Sequence, residues 1–194
     1  MTTQRSKSTF PSGYTIVFGL LCGGLVAFAG WLFNSESGPP DYGKLTLEDA
    51  EGRHVHLSDF GGRPVMLHFF TTWCDQCEAM APVLTATSET MAKDVRIIGV
   101  SLDLVPDFQL DEAKFEPDTR LEEVMQFVKR HDAGYPVLFD RQGKIAAALN
   151  GHEVPVHVVF DSEWKVLRRF TGKRNEDGLR SILQACVEED RKKL

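Results

Sequence analysis

The chain is short of cysteine: its 194 residues contain four, at positions 22, 74, 77 and 186. That number and its uneven spacing exclude a small scaffold held together by several disulfides. One close pair and two singles point to a working site instead. No internal period is visible, which excludes a solenoid or a propeller. Basic residues are also scarce, and the net charge is −6. Residues 1–33 hold Arg5 and Lys7 with no acid, so the rest of the chain is more acidic than the whole. An acidic body without a basic stripe cannot neutralise phosphates, which argues against a nucleic-acid partner. With 42% hydrophobic and 26% charged residues, the composition is that of an ordinary globular domain.

One long stretch has no charge at all. Residues 14–33, YTIVFGLLCGGLVAFAGWLF, are long enough to cross a bilayer as a helix. The preceding Arg5 and Lys7 predict a cytoplasmic N-terminus over residues 1–13, so that everything beyond the segment is exported. Trp31 suits an interfacial anchor. A cleaved signal peptide is the alternative, because Ala27-Phe28-Ala29 resembles a small-x-small processing site. Cys22 lacks the small preceding residue of a lipoprotein signal, since Leu21 stands there, and is expected to pack within the segment. Either reading places the remainder on the periplasmic side: a linker over residues 34–43 and one domain over 44–194.

Within that domain, residues 54–57 alternate like a strand, and the apolar run VMLHFF (65–70) reads as a strand buried on both faces. Cys74 to about Met91 follows a helical pattern interrupted by Pro82. Residues 95–102 form a second buried strand, and 103–118 read as an acidic surface loop. An amphipathic helix over 121–131, a strand over 136–140, a hairpin of 154–160 with 165–172, and a closing helix over 176–193 complete the order. Buried strands with crossover helices predict an α/β layered domain with a mixed sheet.

The cysteine pair sits in FFTTWCDQCE (69–78), where a buried strand hands over to a helix. Residues i and i+3 share a helix face, so Cys74 and Cys77 can close a small disulfide with little backbone movement. At a helix start, the Cys74 sulfur meets unpaired amides and the positive end of the helix dipole, both of which favour thiolate. Cys77, one turn deeper, is placed to resolve a mixed disulfide. Zinc would need four ligands, and there is no second C-x-x-C. His54 and His56 are badly spaced for it, and His152 and His157 straddle a proline. A structural staple closing so short a loop would remove little entropy from the unfolded chain. A redox dithiol is therefore the reading of the residues, with no metal and no cofactor beyond the Cys74–Cys77 disulfide.

Several segments together resemble the thioredoxin superfamily, and within it the membrane-tethered TlpA/ResA-like thiol-disulfide oxidoreductases. They are LSDFGGRPVMLHFFTTWCDQC (57–77), Pro82, YPVLFDRQGK (135–144) and EVPVHVVFD (153–161). The resemblance implies a thioredoxin-like mixed central sheet flanked by helices, with Pro155 as a cis-proline facing the dithiol. Trp73, Val154 and Pro155 would then dock disulfide-bearing protein substrates, for example in cytochrome c maturation or copper-site assembly. A membrane thiol carrier would donate the electrons.

The chain also departs from its relatives. Asp75 places negative charge beside Cys74, a weak lean toward a reductant. His68 stands where thioredoxin has a buried acid, and Met80 where some ResA-like proteins have glutamate. His68 is thus a candidate proton relay. Cys186 is expected to be an inert core residue. Two alternatives on the same fold are a thiol peroxidase, favoured by Thr71 but not by Leu67, and a copper-binding metallochaperone-like module.

Overall fold

The computed structural model describes residues 41–106 and 117–193. The expected anchor over 14–33, the segment 1–13, Cys22, most of the linker and most of the acidic loop lie outside the described residues. Among the described residues no helix is long and apolar enough to cross a membrane.

Seven strands form one mixed sheet: β1 (Thr46–Glu48), β2 (His54–His56), β3 (Val65–Phe70), β4 (Arg96–Ser101), β5 (Val137–Phe139), β6 (Val156–Phe160) and β7 (Val166–Thr171). Their order is β2-β1-β5-β4-β3-β6-β7. Strands β3, β4 and β5 run parallel; β6 pairs antiparallel with β3, and β7 antiparallel with β6. The helices are α1 (Asp75–Thr90), α2 (Pro117–Arg130), α3 (Lys144–Leu149) and α4 (Glu176–Arg191). This is the thioredoxin-like arrangement of a mixed sheet with flanking helices.

The two faces follow from the period of two along β3. Val65, Leu67 and Phe69 point into a core shared with α3 and with Leu47, Val158 and Phe160. Met66 points into the opposite core with Met80, Leu84, Leu179 and Leu183 of α1 and α4. Phe70 joins Cys77, Ala81, Val124, Phe127 and Phe139, where the start of α1 meets α2. All six residues of β3 are buried, as a central parallel strand requires. Pro82 lies inside α1 and gives no amide proton to the Glu78 carbonyl one turn back.

Three local readings change. The short strand β1 and the helix α3 are too brief to show a period: three residues and six residues respectively. The helix α2 begins at Pro117, a favourable first helical position, and not at 121. Residues 103–105 are not surface loop: Asp103, Leu104 and Val105 are all buried.

Strands β3 and β6 also bury two histidines opposite one another, His68 and His157, with ring centroids 4.8 Å apart. Phe70 and Phe170 stack on their outer sides. Burial drives His157 down to about 4, with Arg174 adding to the effect, and holds His68 well below its ordinary value. The unfolded chain therefore binds more protons than the folded one between about pH 6.5 and 4, so stability falls as pH is lowered through that range. His157 alone should contribute about 3 kcal/mol to the loss by pH 4. Urea unfolding at pH 8 and at pH 4 measures this, and His157→Phe should shrink the difference between them by about that amount.

Candidate functional site

The site is built at the C-terminal end of β3, where the chain turns from the sheet into α1. Cys74 is the N-cap of α1 and not its first helical residue: its backbone is extended, and its Sγ accepts a hydrogen bond from the Cys77 amide at 3.2 Å. A sulfur thus stands where a serine or aspartate oxygen commonly caps a helix. Asp75 and Glu78 place negative charge in the first turn, next to the positive end of the helix dipole. Cys74 is partly exposed, whereas Cys77 is fully buried. Both are free thiols.

Burial pushes the Cys77 thiol far above its ordinary value. The hydrogen bond with Cys74 adds to this, a backbone hydrogen bond from Thr71 opposes it, and the negative charges of Cys74 and Asp103 add to it again. One turn of helix therefore separates an accessible sulfur from one strongly held as the neutral thiol.

Across from the pair lies the segment leading into β6. The Val154–Pro155 peptide bond is cis. The Cys74 thiol lies 3.9 Å from the Val154 carbonyl, which can accept its weak hydrogen bond. Proline offers no amide proton at this point, and the Pro155 carbonyl is already taken by the Gly172 amide at 2.9 Å. Gly172 has a φ of +74°, a conformation that favours glycine. Trp73, with 37% of its surface exposed, is the large apolar side chain next to the sulfur.

The structure thus brings Cys74, Cys77, Trp73, Val154 and Pro155 to one place. His68 sits deeper in the sheet, stacked between Phe70 and His157. Its Nδ1 has no hydrogen-bond partner among the described residues, and the charge bearing on it is that of His157. Met80 is buried beneath the site and accepts the Arg174 amide at its sulfur, 3.1 Å away.

Sequence reasoning missed Asp103. It stands just beyond β4, fully buried, and its carboxylate accepts the Thr72 amide at 3.0 Å, the Thr72 hydroxyl at 2.6 Å and the Ser101 hydroxyl at 3.0 Å. The signal was its parity: Gly99, Ser101 and Asp103 alternate toward the face that carries α1. Among the described residues no three His, Cys, Asp or Glu side chains converge as metal ligands.

The AhpC/TSA family model matches residues 41–169, which is most of the chain. The chain belongs to this family. Among curated relatives, the thiol-disulfide oxidoreductase ResA of Bacillus thuringiensis is 28% identical over 176 residues, covering 87% of this chain and 92% of the relative. ResA of Bacillus subtilis is 27% identical over 136 residues, covering 70% and 68%. Among solved structures, a thiol:disulfide interchange protein DsbE of Chlorobium tepidum superposes with a TM-score of 0.61 at 25% identity, covering 77% and 94%. A secreted Mycobacterium tuberculosis disulfide oxidoreductase does so at 0.59 and 21%, covering 73% and 96%, a likeness of fold. The chain is an enzyme of the thioredoxin-like thiol-disulfide oxidoreductase class.

The contrast between the two sulfurs predicts selective chemistry. In the reduced protein at pH 8, iodoacetamide should modify Cys74 and spare both Cys77 and Cys186, whose thiol burial pushes up to about 11. Peptide mass mapping reads this directly, and modification of Cys77 at a comparable rate contradicts it.

Proposed function

We propose that the chain is a membrane-tethered reductant of protein disulfides working on the extracytoplasmic side, with Cys74 as nucleophile and Cys77 as resolving thiol. The observation that carries this reading is the asymmetry of the pair: an accessible helix-capping sulfur against the Val154 carbonyl, and a buried thiol one turn below. Cys74 thiolate attacks a substrate disulfide, forming a mixed disulfide and releasing one substrate thiolate. Cys77 then loses its proton and attacks the Cys74 sulfur, which closes Cys74–Cys77 and releases the second substrate thiolate. The substrate gains two electrons and the cysteine pair loses two.

Trp73, Val154 and Pro155 form the docking surface. The Val154 backbone pairs with an extended substrate segment beside the disulfide, and Trp73 covers its apolar side. A reducing direction is favoured by Asp75, whose negative charge beside Cys74 opposes thiolate in the reduced pair and so shifts the balance toward the disulfide. A couple of that kind needs an electron feed, here a membrane thiol carrier. The charge-free segment 14–33 after Arg5 and Lys7 supports the membrane tether. Substrates of the reading are disulfides of exported apo-proteins, such as those awaiting haem or copper.

Cys77→Ala should trap the intermediate. Mixed with a disulfide-bearing protein, this variant should accumulate a Cys74-linked adduct on a non-reducing gel that dithiothreitol dissolves, while Cys74→Ala forms none. Turnover of a substrate disulfide by Cys74→Ala at the wild-type rate would contradict the assignment.

A further inference from the structure

Cations are unevenly placed along β7, the outermost strand of the sheet. Residues 165–174, KVLRRFTGKR, hold five of them and no acid, in a chain whose net charge is −6. At the end of the strand far from the dithiol, the cations are neutralised: Lys165 pairs with Glu163 at 2.6 Å and Arg168 with Glu189 at 3.2 Å. Arg169 directs its donors to the Leu149 and Asn150 carbonyls, 3.3 and 2.5 Å away. Lys173 and Arg174, at the near end, have no carboxylate partner among the described residues. Lys173 is exposed and Arg174 half-buried.

That near end is tied to the site. Thr171 pairs with Val156, and the Gly172 amide donates to the Pro155 carbonyl at 2.9 Å. A Cβ added at Gly172 would lie 3.5 Å from Gln76 Oε1 and 3.9 Å from Arg174 Nη1. The residue that follows Asp75 between the cysteines and the Arg174 guanidinium therefore both border the Gly172 backbone. Arg174 is also held in place: its amide donates to the Met80 sulfur at 3.1 Å, its Nη1 donates to the Lys173 carbonyl at 2.9 Å, and its guanidinium carbon sits 5.4 Å from the Phe170 ring centroid. A guanidinium ordered against an aromatic ring, with most of its donors unengaged among the described residues, is a preorganised receptor for a carboxylate. The acids that follow in the chain are occupied, because Arg180 binds Glu176 and lies 3.9 Å from Asp177. Asp75 repels an anion at the sulfur itself, so the attraction comes from the β7 end.

We propose that Lys173 and Arg174 form an electropositive rim of the docking site that selects disulfides flanked by carboxylates, which makes the substrate an acidic segment of a protein. The inference rests on the function proposed above and names the substrate class of that dithiol. Arg174 presents its guanidinium fork to an acidic side chain beside the substrate disulfide, and Lys173 adds a second positive charge. The pair raises the rate at which acidic segments reach Cys74, and it disfavours segments with cationic flanks.

A pair of chromogenic disulfides tests this on the reduced, purified protein: 5,5′-dithiobis(2-nitrobenzoate), which carries carboxylates, and 4,4′-dithiodipyridine, which is neutral. The readout is the ratio of the first rate to the second for reaction with Cys74, because a loss of folding or of thiol reactivity moves both rates together. In the double variant Lys173→Gln with Arg174→Gln, the ratio should fall on the order of 10-fold at low salt. A ratio that the substitutions leave unchanged overturns the proposal. Salt gives a second arm that needs no variant. In the wild-type protein the ratio should fall as sodium chloride screens the rim. A ratio that stays level or rises with salt means that only the repulsion of an acidic chain is at work, and overturns the proposal. Failure of the underlying dithiol reading looks different, because Cys74→Ala then reacts with both disulfides as fast as the wild-type protein.

Discussion

Everything at this site depends on the antiparallel pairing of β3 with β6. The register Phe69↔Val156 sets the residues that follow β3 directly opposite those that precede β6. Cys74 and Val154 are 80 positions apart in the chain, yet their thiol and carbonyl come within 3.9 Å. A shift of one residue in that register would turn Phe69 and Leu67 out of their core, so the hydrophobic alternation of β3 fixes the edge facing Cys74 as well as the fold. The parallel partner β4 fixes the other side. Its register carries Asp103 past the end of β3, where it can receive Thr72. The Cys74 sulfur, the Val154 carbonyl and the buried Asp103 carboxylate are thus all set by strand register.

The two cysteines differ because the helix start is a boundary between environments. Cys74 caps α1 at the sheet edge, where the chain is still extended and partly in solvent. Cys77 is one turn further, packed among Phe70, Ala81, Val124, Phe127 and Phe139. The same packing that stabilises α1 against the sheet therefore holds the second thiol neutral. Glu78, the next residue, ties this turn to the end of α2 through Arg130 and His131. Partial burial pushes its carboxyl up, but those two partners more than offset this and leave it below its ordinary range.

Much of this was legible in the sequence. The run VMLHFF, the C-x-x-C pair and the Val-Pro before a strand each carry a local signal, and these signals agree on one geometry. The strand β1 and the helix α3 were hidden because three and six residues cannot display a period. Asp103 was hidden for a different reason. It begins an acidic stretch, DLVPDFQLDE, whose composition reads as solvent-exposed, and only the parity of β4 shows that its first residue faces α1. His157 likewise looked like one of several scattered histidines until the β3–β6 register set it against His68. Pairings between strands distant in sequence are what a single chain conceals.

The central proposal is that the Cys74–Cys77 pair, with Asp75 beside its accessible sulfur, works as a reductant. The measurement that tests it most directly is the midpoint potential of Cys74–Cys77 in the purified protein, titrated against dithiothreitol and glutathione buffers. A value of about −250 mV or below, in the range of thioredoxin, is the predicted result. A value near about −120 mV would mark a stabilised reduced form and an oxidant, and would contradict the account.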